Sequence, residues 1–123
     1  MFWKEKQDNP EIFSFEFNDR RLSYRVYPSA NVPIAFEFCG EKVQVVNISA
    51  GGLAFKNKAF KSGDTQTIEL LLPYQNVTLA PVLKIKTIDD QNVCHCQFRE
   101  IGEDEVEAIH QYVLKRQKEI MQL

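Results

Sequence analysis

Three arginines, Arg20, Arg21 and Arg25, fall within six positions of the stretch DRRLSYRV. About twenty residues further on, Asn47, Ser49, Gly51 and Gly52 stand in the run NISAGG. An arginine presents a planar fork of donors that grips a phosphate through two hydrogen bonds, and its flat face stacks on an aromatic base. Asn carries both a donor and an acceptor, which suits the edge of a base, and Ser adds a hydroxyl. Residues two apart on a strand share a face, so Asn47 and Ser49 can address one ligand. Gly51 and Gly52 permit a tight turn and a close approach of the backbone. Together these groups can hold a molecule that has both phosphates and purine bases.

Each half also has a plain structural reading. The arginines have carboxylates close by at Glu16, Asp19 and Glu41, and NISAGG also suits a simple hairpin turn. R-x-x-x-R alone arises by chance in roughly a third of chains this size, and N-x-S-x-x-G in about one in twenty. Both in this order, at strand ends, carry more information than either. Other chemistries fare worse. Cys94, His95 and Cys96 resemble a metal cluster, but strand alternation sends His95 to the opposite face from both cysteines, and no second pair completes a site. The only histidines, His95 and His110, lie in no nucleophile or metal motif, so the sequence offers no acid–base pair and reads as a non-enzyme without a cofactor. Lys115, Arg116 and Lys118 read as a solvated helix end.

The chain of 123 residues is long enough for one domain with its own core. Hydrophobic residues make up 44% and charged residues 26%, with a net charge of -2, so the balance argues against general nucleic-acid binding and makes any anion site local. No apolar run approaches a membrane span, and the start, MFWKEKQDNPEIF, has no secretory pattern. An odd cysteine count, Cys39, Cys94 and Cys96, points away from a disulfide framework and toward a cytoplasmic location.

The elements that must position the arginines and NISAGG are mostly strands. Residues 1–17 form an N-terminal arm in which Phe13, Phe15 and Phe17 alternate like a short strand; residues 18–123 form a single domain. Ile34, Phe36 and Phe38 alternate, a turn follows at Gly40, and Val43, Val45 and Ile48 continue inward. Leu53 to Phe55 is a short strand, Thr67 to Leu72 another, and Val77 to Ile88 a longer one interrupted by Pro81. Val93 to Arg99 alternates once more. Short strands with regular turn signals predict a barrel over about 20–100. The period then changes. Val106, Ile109, Val113 and Ile120 recur at helical spacing behind an acidic start, predicting an amphipathic helix over about 103–121.

At the arginines and NISAGG the chain resembles the PilZ domain, a bacterial receptor module for cyclic di-GMP. That family carries R-x-x-x-R followed by [D/N]-x-S-x-x-G, and Arg21, Arg25, Asn47, Ser49 and Gly52 match every position. SAGGLAF, GDTQTIELLLP and the V-x-C-x-F-R-E strand extend the likeness over about 20–117. The resemblance implies a mainly β fold, a six-stranded antiparallel β-barrel with a C-terminal amphipathic helix. It implies that Arg21 and Arg25 clamp phosphates and guanine, that Asn47 and Ser49 bond the guanine, and that Gly52 sets the turn. Arg20, just before the first motif arginine, resembles the type that holds an intercalated pair of ligands. It further implies an effector that orders its arginine-rich segment on the ligand and signals to a protein partner in motility, adhesion or biofilm control. A ligand-independent adaptor of the same fold, of the kind that serves type IV pilus assembly, is the alternative.

Overall fold

A computed structural model describes residues 24–122. The expected strand around Phe13 to Phe17, and Arg20 and Arg21, lie outside the described residues. The elements are β1 (Ala35–Phe38), β2 (Glu41–Ser49), β3 (Gly52–Lys56), β4 (Thr65–Thr67), β5 (Leu70–Leu72), β6 (Val77–Leu79), β7 (Val82–Ile88), β8 (Val93–Glu100) and α1 (Glu103–Met121). Six strands form one antiparallel sheet in the order β1-β2-β3-β8-β7-β4. Its two edges are tied by a side chain, because the Cys39 N–H, just past β1, donates to Gln66 Oε1 on β4. The sheet is thereby a nearly closed barrel, as the strand pattern predicted.

Two predicted strands are each divided in the structure. The run Thr67 to Leu72 breaks between β4 and β5, and Val77 to Ile88 breaks between β6 and β7. The breaks face each other: the Ile68 N–H donates to the Pro81 carbonyl at 3.0 Å. Pro81 has no N–H to continue a ladder, so the chain leaves the main sheet there. β5 and β6 consequently pair only with each other, as a ribbon beside β1 and α1.

The core fills by alternation. Phe36 and Phe38 of β1 meet Phe55 and Phe60 with ring centroids 5.1 to 5.8 Å apart, mostly edge to face. On β2, Val43, Val45 and Ile48 all face inward. Strict alternation would have sent Asn47 inward with Val43 and Val45. A bulge at Val46 prevents this, since the register steps from Val45↔Phe55 to Asn47↔Ala54. One extra residue swaps the faces of everything after it. Ile48 enters the core, and Asn47 turns outward.

Glu105 fixes the start of α1: one carboxylate oxygen accepts the Gly102 N–H at 2.9 Å, the other the Ala80 N–H at 2.8 Å. Ile109, Tyr112 and Val113 are buried against the barrel. The predicted apolar stripe does not continue to its end, because Ile120 is 42% and Met121 77% exposed. The helix, about 28 Å long at 1.5 Å per residue, outruns the barrel surface beneath it.

Cys94 and Cys96 are buried on one face of β8, and His95 on the other face meets Asp89 at 2.8 Å. Burial, reinforced by Asp64 and Asp89, pushes the Cys94 thiol up to about 11; burial and Cys94 push Cys96 up to about 12, against a small pull from Arg25. The fold therefore favours the protonated thiols. Their contribution is complete below the unfolded pKa of about 8.5 and is lost as pH rises through the folded values. A thiol reagent at neutral pH is expected to label exposed Cys39 alone in the native protein. Urea midpoints should fall steadily between pH 9 and 12; a flat profile there would contradict the buried-thiol assignment.

Candidate functional site

The site grows from one bridge. Val26 and Ile48 exchange two backbone hydrogen bonds, each 3.0 Å long, beyond the end of β1. This antiparallel bridge lays the segment carrying Arg25 along the edge of β2 past its pairing with β1, just where the bulge has turned Asn47 outward. Arg25 Nη1 donates to Asn47 Oδ1 at 2.8 Å. The two halves of the sequence pattern, 22 positions apart, thus meet side chain to side chain.

Ser49 is 1% exposed. Its Oγ accepts the Gly51 N–H at 3.2 Å and lies 3.4 Å from the Gly52 carbonyl, so in this arrangement the hydroxyl braces the turn. The Gly51 carbonyl accepts the Phe98 N–H at 3.0 Å, which binds the turn to β8. Gly52 is held against β8: a Cβ there would lie 2.0 Å from the Cys96 carbonyl oxygen. The structure therefore gathers Arg25, Asn47, Ser49, Gly51 and Gly52 at one end of β2 and β3. Arg20 and Arg21 precede the described residues.

The strand register adds residues that sequence patterns do not reveal. Ser49, Gly52, Gln97 and Lys84 form one cross-strand row, and Asn47, Ala54, His95 and Thr87 the next. Directly paired residues of antiparallel strands share a face. The outer surface beside Arg25 and Asn47 is therefore floored by Gly52 and Ala54, which have almost no side chain. It is flanked by the exposed amide of Gln97 and the half-buried Lys84. Gly52 and Ala54 are both buried in this arrangement, and the flanks supply donors. Only the long-range pairing β3–β8–β7 brings Gln97 and Lys84 there.

Burial lowers the pKa of Arg25, and Cys96 opposes that shift. An arginine starts so high that the group keeps its charge in neutral solution. Partial desolvation strengthens what that charge can do for an anion.

The PilZ domain family model matches residues 19–115. The chain belongs to the PilZ domain family. A comparison with curated proteins finds no match. Among solved structures, this PilZ domain is similar to the inhibitor of motility MotI/DgrA of Bacillus subtilis, at 21% identity and a TM-score of 0.63 over 77% of this chain and 49% of that one. It is similar to the PilZ domain of YcgR from Escherichia coli with c-di-GMP, at 11% identity and a TM-score of 0.61 over 80% of this chain and 92% of that one. It is also similar to K. pneumonia MrkH in its c-di-GMP complex, at 19% identity and a TM-score of 0.63 over 79% and 51%. At these identities the likeness establishes the fold. The chain spans about half the length of MotI/DgrA and MrkH.

Proposed function

We propose that this PilZ domain is a receptor that binds cyclic di-GMP without transforming it. The observation that carries the reading is the 2.8 Å contact between Arg25 and Asn47, which joins the arginine motif to the NISAGG turn on one surface. Arg21 and Arg25 clamp the phosphates and face the guanines. Asn47 and Ser49 offer hydrogen bonds to a guanine edge, for which Ser49 must exchange its turn contacts, and Gly51 and Gly52 keep the approach open. Arg20 governs whether one ligand or a stacked pair is held. The YcgR and MrkH structures contain c-di-GMP on the same fold, which supports the reading.

The chemistry present binds and does not react. Arginine, amide and hydroxyl groups hold an anion and a base edge, and the nearest histidine, His95, is paired with Asp89. Signalling then follows from the ordering of the arginine-rich segment, whose clustered charges a dianionic ligand neutralises. The ordered segment presents a new surface to a protein partner, in a cytoplasmic pathway controlling motility, adhesion or biofilm.

Calorimetric titration with cyclic di-GMP tests this. Saturable heat is expected with one or two ligands per chain, and affinity that weakens as salt rises. Lys118→Ala, on the far end of α1, should bind like the unaltered protein. Absence of saturable heat at moderate salt sinks the receptor reading and leaves the ligand-independent adaptor.

A further inference from the structure

Arg116 lies in the segment that reads as a solvated helix end, yet its side chain is only 12% exposed. Its Nε donates to the Tyr27 carbonyl at 2.7 Å, and its Nη1 donates to Glu119 Oε1 at 2.8 Å. Tyr27 is two residues past Arg25 and one past the Val26–Ile48 bridge. The strand that carries Arg25 is therefore pinned at two points, to β2 by Val26 and to α1 by Arg116.

The same guanidinium enters a wider network. Glu119 Oε1 also accepts the Tyr74 hydroxyl at 2.8 Å. The Tyr74 ring stacks on Tyr112 at 5.8 Å, and Tyr74 itself has a φ of 74°, a left-handed conformation that costs an aromatic residue energy unless its neighbours hold it. Tyr112 is buried beside Tyr74, Arg116 and Glu119, and among the described residues its hydroxyl has no hydrogen-bond partner. A buried hydroxyl left unpaired is costly.

We propose that Arg116 is a positioning residue for the ligand site, fixing the strand that carries Arg25 and tying its occupancy to the C-terminal half of α1. This rests on the receptor reading above for its ligand. Pre-anchored, the strand surrenders less freedom when an anion draws Arg25 in, so binding is tighter. By linkage, ligand that fixes the strand also steadies Arg116, Glu119 and the last turns of the helix.

Hydrogen exchange and titration of Arg116→Gln and Arg116→Lys test it on the full chain. Without ligand, Arg116→Gln should speed exchange at the Val26 and Ile48 amides about tenfold, while Leu53 and Phe55 keep their protection. With cyclic di-GMP, the unaltered protein should slow exchange at Glu119 and Ile120. Arg116→Gln should lose that response and bind about tenfold more weakly, and Arg116→Lys, which keeps one charged donor, should recover part of both. Unchanged exchange at Val26 in Arg116→Gln overturns the proposal. So does a helix response to ligand that survives the substitution. An unaltered protein that takes up no cyclic di-GMP overturns the receptor reading instead, and the ligand-free exchange still decides whether Arg116 positions the strand.

Discussion

Gly52→Ala is expected to destabilise the domain by about 3 kcal/mol or more and to lower its thermal midpoint by on the order of 10 °C. The added Cβ would sit 2.0 Å from the Cys96 carbonyl oxygen, 3.0 Å from its carbon and 3.1 Å from the Gln97 Cα. All three are backbone atoms, so no rotamer change relieves the clash. β3 and β8 must separate where Leu53 pairs Cys96, in the middle of the sheet, with both side chains buried. Gly40 and Gly63 make a useful contrast. Their φ values are 84° and 96°, with nothing within 4 Å of an added Cβ. Alanine there meets only backbone strain, about 1 kcal/mol. Thermal and urea unfolding of the three variants separates the mechanisms. A loss below about 1 kcal/mol at Gly52 would show that β8 slides aside at little cost, and the close approach would lose its standing as the reason for glycine.

The sequence carried the glycine as part of a turn, whereas the structure makes it the first residue of β3, paired with Ser49, and leaves the turn to Ala50 and Gly51. Turn chemistry is local, so NISAGG could be recognised from its own residues. The collision with Cys96 is not local: it depends on β3 pairing with a strand more than forty positions away. The same distinction runs through the site. Arg25, Asn47 and Ser49 were legible because their residue types and spacing carry phosphate and base chemistry. The outward placement of Asn47 depends on the bulge at Val46, and the only trace of it in the sequence is that Val43, Val45 and Ile48 break the period of two. Gln97 and Lys84 become site neighbours only once β3, β8 and β7 are in register.

Arg116 is the sharpest case. Its charge fits the C-terminal end of a helix, and nothing local distinguishes it from Lys115 or Lys118. Its partner is a backbone carbonyl 89 positions earlier, and a carbonyl is part of every residue, so no pattern marks it. The helix stripe failed in the opposite direction. Ile120 has the right spacing, but spacing does not say where the barrel surface stops, and the residue ends in solvent. Pro81 was legible as an interruption, and the structure shows what the interruption does: it sends β6 out of the main sheet into a ribbon with β5.

Arg25→Ala is expected to weaken cyclic di-GMP binding by a factor of about 100, while moving the unfolding free energy by no more than about 1 kcal/mol. The two effects separate for a physical reason. Its side-chain bond to Asn47 lies on an exposed surface, where water replaces a lost partner cheaply. The strand itself stays in place through the Val26–Ile48 bridge. The ligand, by contrast, loses a charged, bidentate donor that water does not replace in kind. Arg25→Lys keeps the charge and loses the planar fork, so its affinity should fall about tenfold, between the other two proteins. Asn47→Ala should weaken binding as well, and the double variant should lose less than the sum of the two, because each residue holds the other in position. Raising salt should weaken the unaltered protein more steeply than Arg25→Ala, since one cation has left the site. Equal affinity for Arg25→Ala and the unaltered protein would remove Arg25 from the site, whatever else binds there. Additivity of Arg25 and Asn47 would keep both as separate contacts but deny that their 2.8 Å bond prepares the surface for the ligand.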